Sequence, residues 1–271
     1  MEREAGATTS RSTKIAVVIA AYNEAATVRA VAMRALSQVL HVIVVDDGSE
    51  DRTQSELKNL SVDYLRNAKN LGKAASLWRG FEHALERDAS AVITLDADGQ
   101  HLPEDIPKLI TAHRTCPDCI VIGARPHEKK DAPARRYYAN RFADFWIGWA
   151  AGQRISDSQS GFRLYPTKVL RRVTVNHRKA AGFVFESEIL IVAARQGFKI
   201  ISVPVPALYG ERRSHFRPVL DILRIARMIG WKLLSRGLYF RGLISSRSKS
   251  RALLAPGSTG QLDGKQSTPE R

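Results

Sequence analysis

The chain has 271 residues and is 44% hydrophobic, which suits a globular domain with a substantial core and excludes a disordered one. A net charge of +15 calls for an anionic partner: nucleic acid, an anionic membrane surface or phosphorylated small molecules. No apolar run reaches the ~18–20 residues of a spanning helix, and no secretory leader pattern is present, so a cytoplasmic protein without a membrane span is expected.

Residues 1–13 are small and polar and read as a flexible start. Strand and helix patterns then alternate. Ile15–Ala20 reads as a buried strand, Ala25–Leu36 as a helix, and Val42–Val45 as a second strand running into Asp46-Asp47-Gly48-Ser49. Asp51–Leu60 is a short helical stretch, Val62–Leu65 a third strand, Ala74–Arg87 a helix, and Ala91–Leu95 a fourth strand. Pro103 opens a helix in the manner of a first-turn proline, and Cys119–Ile122 is a fifth strand. The alternation predicts a mostly parallel sheet flanked by helices, whose ligands sit beyond the carboxyl ends of the strands. After residue 123 the pattern changes. A stretch rich in Arg and Lys (125–141) leads to an aromatic helix, Phe142–Ala150, and then to the polar loop SDSQSGFRLYP. Gly182–Ala194 reads as a helix, Lys199–Val205 as a strand and His215–Leu243 as a long helix. The divisions expected are a domain over 14–214, an amphipathic helix over 215–244, and a disordered basic tail over 245–271.

The two cysteines, Cys116 and Cys119, make no disulfide framework, and their scarcity favours the cytoplasm. With His113 they suggest zinc, but a structural site wants a fourth ligand and no second Cys-x-x-Cys exists. The plainer reading is a helix end running into a strand.

Common nucleotide motifs fail. No Gly-x-Gly-x-x-Gly follows the first strand, and Gly72-Lys73 lacks both the first glycine and the Ser/Thr of a Walker loop. A calcium loop fails because its turn glycine would fall at His101. Asp96-Ala-Asp98-Gly-Gln100 does suit a divalent cation, Mg²⁺ or Mn²⁺, which prefers hard oxygens and shares its shell with substrate phosphates. Alone, the same residues also read as an N-cap ahead of Pro103, with Glu104 and Asp105 favoured by the helix dipole.

Six segments occur in a telling order: VVIAAYNE (17–24), VIVVDDGSEDRT (42–53), NLGKAASLWRG (70–80), LDADGQH (95–101), SDSQSGFRLYP (156–166) and GFVFESEIL (182–190). Together they closely resemble the inverting family 2 glycosyltransferases, and among them the dolichol-phosphate mannose synthases and bacterial polyprenyl-phosphate glycosyltransferases. The resemblance covers roughly residues 14–220. It implies a GT-A fold, α/β with a Rossmann-like sheet, and a nucleotide-diphosphate sugar donor of the GDP-mannose or UDP-glucose type. Carried over by position, Tyr22, Glu24 and Asp47 would contact base and ribose, with Asp46 either assisting or capping its turn. Ala20 stands in the same strand end, where the family usually has proline. Asp96, Asp98 and Gln100 would hold the metal at the diphosphate, Lys73 would lie near the nucleotide, and Arg125 and Arg163 would meet phosphate groups.

The acceptor decides whether a base is needed. A lipid phosphate such as polyprenyl phosphate is already anionic, so Asp98, Arg125, Asp157 and Arg163 form the expected catalytic set, with Arg125, Arg163, Arg212 and Arg213 on the acceptor phosphate. A hydroxyl on a glycolipid or other lipid would need a base from Asp157, Glu186 or Glu188, whose plainer roles are capping and ion pairing. A non-catalytic sugar-nucleotide-binding protein is a further alternative, which the intact Asp96-x-Asp98-x-Gln100 argues against. From Arg212 through Arg251 there are eleven Lys or Arg and one acid, Asp221, with apolar residues at helical spacing. This reads as a basic amphipathic helix lying on an anionic leaflet, or as a packed helix with a solvated basic face. The first reading makes the protein peripheral on the cytoplasmic face of the inner membrane. Nucleic acid is excluded as a partner, because the basic residues do not interleave with a stacking platform.

Overall fold

The computed structural model describes residues 14–125, 134–175 and 182–206, together with Gly230. The expected helix over 215–244, the tail over 245–271, residues 1–13, and Arg212 and Arg213 lie outside the described residues. In chain order the elements are β1 (Ile15–Ala21), α1 (Val28–Leu36), β2 (His41–Asp46), α2 (Thr53–Glu56), β3 (Asp63–Arg66), α3 (Lys73–Glu86) and β4 (Ala91–Asp96). A 3₁₀ turn at Pro103–Asp105 leads into α4 (Ile106–Thr115), followed by β5 (Ile120–Ala124), α5 (Ala134–Ala151), β6 (Arg163–Pro166), α6 (Thr167–Arg172), α7 (Gly182–Arg195) and β7 (Ile200–Pro204).

The strands form one sheet in the order β3-β2-β1-β4-β6-β5-β7. All pairings are parallel except those of β6, which is antiparallel to both β4 and β5. The strand β6 corrects the sequence reading, which treats its residues as part of a polar loop. The short helix α6 is likewise absent from the sequence reading, and further differences are at element ends: α2 is one turn rather than a helix over Asp51–Leu60, α1 starts at Val28 after a turn, and α5 begins at Ala134, ahead of the aromatic residues.

Alternation along β1 explains the two-sided core. Ala16 and Val18 join the layer that includes Leu77 and Phe81 of α3, Ile147 of α5, and Phe185 and Ile189 of α7. Ile15, Val17 and Ile19 join the opposite layer, with Val28, Val31 and Ala35 of α1 and Ile106 and Leu109 of α4. A strand buried on both faces is the parallel-sheet pattern, and it makes these segments continuous apolar runs. The backbone of α3 lies close to β1 because Gly80 has no side chain: a Cβ there would stand 2.4 Å from Val18 Cγ1. This seats the start of α3, and so Lys73, against the carboxyl end of the sheet.

Cys116 and Cys119 are joined as a single local disulfide at the end of α4, where the sequence reading has only a helix end running into a strand and no disulfide framework. The bond engages both sulfurs. Cysteine usage also gives no support to a cytoplasmic location, because disulfides persist in oxidising compartments.

Candidate active site

Register brings the predicted residues to one level. Ala21 stands opposite Asp46, and Ala20 opposite Asp96, so the ends of β1, β2 and β4 are flush. The loop after β1 is fastened to the loop after β2. Asn23, at φ 56°, uses the left-handed region that asparagine tolerates, accepts from the Glu50 N–H at 2.9 Å, and donates its own N–H to Ser49 Oγ at 2.9 Å. The N–H of Glu24 donates to Thr53 Oγ1 at 2.9 Å. Tyr22 and Glu24 are half-buried at this edge.

The two adjacent aspartates have structural duties. Asp46 is fully buried and accepts from the Ser49 N–H (2.8 Å), the Tyr64 hydroxyl (2.7 Å) and Arg66 (2.9 Å). It clamps its turn, the capping role that the sequence leaves open beside assistance to the nucleotide. Asp47 accepts from Asn67 Nδ2 (2.7 Å) and from the N–H groups of Leu71 (2.9 Å) and Gly72 (2.8 Å). It therefore holds the loop that delivers Lys73.

Asp96 ends β4, and Gly99 (φ 76°) makes the bend that follows. Asp98 Oδ1 accepts from the Gln100 N–H at 2.9 Å. The ammonium of Lys73 lies 2.6 Å from Asp96 Oδ1 and 3.2 Å from Glu186 Oε1. Burial alone would raise the carboxyl of Asp96, but Lys73, with smaller help from His101 and Arg125, holds it below the ordinary range. Asp98 is pushed upward, first by burial and then by the charge of Asp96. The ammonium of Lys73 is held well above its usual pKa: burial opposes the charge, and the two carboxylates outweigh it. His101 is buried, lies against the Phe162 ring, and is pushed down to about 4, chiefly by burial, so it is neutral at pH 7. Gly161 packs against Asp96, where a Cβ would fall 2.5 Å from Asp96 Oδ2.

The loop before β6 builds the other wall. Asp157 is fully buried at φ 52° and grips Arg125 through both oxygens, at 2.8 Å to Nε and 2.9 Å to an Nη, while also accepting the Arg125 N–H at 2.9 Å. Asp144 of α5 accepts from the N–H groups of Asp157 (3.1 Å) and Ser158 (2.7 Å). Asp157 is thus the anchor of Arg125 rather than a base. Arg163 is also fully buried, and it donates to the carbonyls of Ser160, Glu186 and Ser158 at 2.7 Å each and to the Tyr165 hydroxyl at 3.2 Å. Its guanidinium braces the scaffold, which corrects its assignment to catalysis and to the acceptor phosphate.

Asp96, Asp98, Lys73, Glu186 and Arg125 therefore converge. Sequence reasoning missed Asp144, whose signal is hidden in an aromatic helix, and Gly161, which lies inside a quoted motif. It named Glu186 without foreseeing the contact with Lys73. Among the described residues, no three His, Cys, Asp or Glu side chains are grouped to hold a metal.

The family model described as Glycosyl transferase family 2 matches residues 16–178, more than half of the chain. The chain therefore belongs to the family 2 glycosyltransferases. Among its relatives, the polyprenol monophosphomannose synthase of Mycolicibacterium smegmatis is 29% identical over 75% of this chain and 83% of that one. The UDP-N-acetylglucosamine–dolichyl-phosphate N-acetylglucosaminyltransferase of Methanococcus voltae is 30% identical over 73% and 86%. Among solved structures, glucosyl-3-phosphoglycerate synthase from Mycobacterium tuberculosis, in complex with Mn²⁺, UDP and phosphoglyceric acid, has a TM-score of 0.61 at 20% identity. That match covers 83% of this chain and 78% of that one. This similarity is one of fold and identifies the mixed sheet as GT-A-like.

Proposed function

We propose that the protein transfers a sugar, with inversion, from a nucleotide-diphosphate sugar of the GDP-mannose or UDP-glucose type to a lipid phosphate such as polyprenyl phosphate. The observation that carries this reading is the pairing of Asp157 with Arg125. It takes away a carboxylate that a hydroxyl acceptor would need as base and presents a fixed guanidinium, a group suited to phosphate. The acceptor phosphate oxygen attacks the anomeric carbon, the bond from that carbon to the diphosphate oxygen breaks, and the nucleoside diphosphate leaves with the electron pair. The polyprenyl and dolichyl acceptors in the names of the two relatives support the lipid phosphate.

The residues fit a divalent cation. Asp96 and Asp98 place two hard carboxylates close enough for one to raise the other, a repulsion that a cation relieves, and Gln100 adds a neutral oxygen. Mg²⁺ or Mn²⁺ bound there would neutralise charge on the departing diphosphate. Mn²⁺ with UDP in the M. tuberculosis enzyme supports that choice. Tyr22 and Glu24 would receive the nucleotide at the neighbouring strand end beside Ala20, with the backbone held by Asp47. Arg212 and Arg213 are kept as acceptor contacts on the sequence alone.

With polyprenyl phosphate as acceptor, transfer should be flat above about pH 7, because a phosphomonoester completes its ionisation near pH 6. A rate that follows a group titrating between about pH 7 and 9, or turnover on polyprenol but not on its phosphate, would favour the hydroxyl reading. That second reading has one specific support: Glu186 Oε2 is buried without a hydrogen-bond partner and is the carboxylate oxygen a base would need.

The lipid end of the reaction requires a membrane surface. No helix among the described residues is long and apolar enough to cross a bilayer. Tyr138, Phe142 and Phe145 of α5 are 57%, 55% and 42% exposed and follow one another at helical spacing, next to the basic stretch 125–141. Aromatic side chains beside cations suit the interface of an anionic leaflet, and its cytoplasmic side is kept on the sequence reading alone. The double variant Phe142→Ser/Phe145→Ser should lose binding to phosphatidylserine vesicles in sedimentation, as should deletion of residues 217–271. Equal sedimentation of all three forms would remove the membrane assignment.

A further inference from the structure

We infer that Lys73 is the resident counter-ion of Asp96, displaced when a divalent cation takes that carboxylate, and that this exchange couples cation binding to diphosphate binding. The inference rests on the metal-dependent reading above and adds a regulation to the same site.

Three contacts carry it. The Lys73 ammonium sits 2.6 Å from Asp96 Oδ1, the position a cation would need. The other oxygen of Asp96 faces Gly161, where even a Cβ would come within 2.5 Å, so the backbone closes that side. A cation that takes Oδ1 of Asp96 must therefore share or displace the ammonium already there. The same ammonium also lies 3.2 Å from Glu186 Oε1, and Glu186 Oε2 is buried without a hydrogen-bond partner. A second anionic seat thus adjoins the first.

Without a diphosphate the exchange is unfavourable. A cation at Asp96 deprives a largely buried ammonium of one carboxylate and places a double positive charge beside it. The ion pair with Glu186 is kept, and the one with Asp96 is lost. A donor diphosphate reverses the balance by bringing new anionic oxygens to both the cation and the displaced lysine. Cation and nucleotide should then bind as a pair, each tightening the other by the same factor, as linkage requires. Lys73 is in this sense a positioning residue for the cation, and it keeps Asp96 neutralised between turnovers.

The test measures Mn²⁺ binding directly, by the paramagnetic resonance of free Mn²⁺ or by calorimetry, with the full chain and with no sugar acceptor. Mn²⁺ is titrated alone and with saturating UDP or GDP. In Lys73→Met, Mn²⁺ alone should bind about tenfold tighter than in wild type, and the tightening produced by nucleotide should shrink about tenfold. Lys73→Arg, which keeps the charge, should retain weak binding alone and the nucleotide effect. If Lys73→Met does not fold, the double variant Lys73→Met/Glu186→Gln, which also removes a stranded carboxylate, should show the same loss of coupling. An unchanged affinity for Mn²⁺ alone, or an unchanged nucleotide effect, in a folded variant lacking the ammonium overturns the proposal and leaves the proposed function standing. Absence of Mn²⁺ binding to every form, even with UDP or GDP, overturns the metal-dependent reading and this inference with it.

Discussion

Asp98→Ala should abolish metal-dependent transfer, by at least about 10²–10³-fold, while the protein stays folded. The two effects separate because Asp98 does little for the fold. Its hydrogen bond from the Gln100 N–H is a local one, and its carboxyl is pushed above the ordinary range by burial and by Asp96. A carboxyl raised in the folded state costs stability once the pH exceeds its unfolded pKa of about 4, and the full cost is present above its folded pKa. Its removal should therefore leave the melting temperature at pH 7 equal to wild type or higher, with the gain vanishing as the pH falls below about 4. Asp96→Ala makes a useful contrast. It takes from Lys73 its 2.6 Å ion pair and leaves a largely buried ammonium less neutralised, so stability and activity should fall together. Turnover of Asp98→Ala equal to wild type, with Mn²⁺ and donor supplied, would remove Asp98 from the site.

The outcome for each site residue depends on how local its partners are. Strand ends are legible because a buried parallel strand is an apolar run, and the first polar residue after it marks the carboxyl edge. Asp46, Asp47, Asp96 and Asp98 are found that way. Their duties are not, because these depend on register. Asp46 is spent because β3 sets Arg66 opposite it, and nothing near position 46 announces that. The same limit hides β6. Its four residues begin with an arginine, which in isolation signals solvent, and only partners from the loop before it, from Tyr165 and from α7 make burial of that charge tolerable. Asp144 is the reverse case: an acid within an aromatic helix looks like a surface residue until the backbone N–H groups of Asp157 and Ser158 are placed against it.

Arg163→Met is expected to be the most damaging single change to stability, at roughly 3–5 kcal/mol, a large part of the 5–15 kcal/mol typical of a folded domain. The side chain is fully buried, and its hydrogen bonds go to the carbonyls of Ser158, Ser160 and Glu186 and to the Tyr165 hydroxyl. Burial by itself would lower its pKa, but the Tyr165 hydroxyl and Glu186 outweigh that, and the guanidinium stays charged. Methionine fills much of the volume yet takes the guanidinium from the Ser158 and Ser160 carbonyls in a buried interior, the costly kind of loss. Arg163→Lys should rescue little, because one ammonium cannot reproduce a planar fork that reaches both the loop before β6 and α7. Chemical denaturation should read the loss as a lower midpoint, and any lost transfer should track the folded fraction, with KM for the lipid phosphate unchanged in the protein that remains folded. A stable Arg163→Met protein with a raised KM for polyprenyl phosphate alone would return this arginine to the acceptor site. The expected result leaves Arg125, held by Asp157, as the arginine proposed for the phosphate among the described residues.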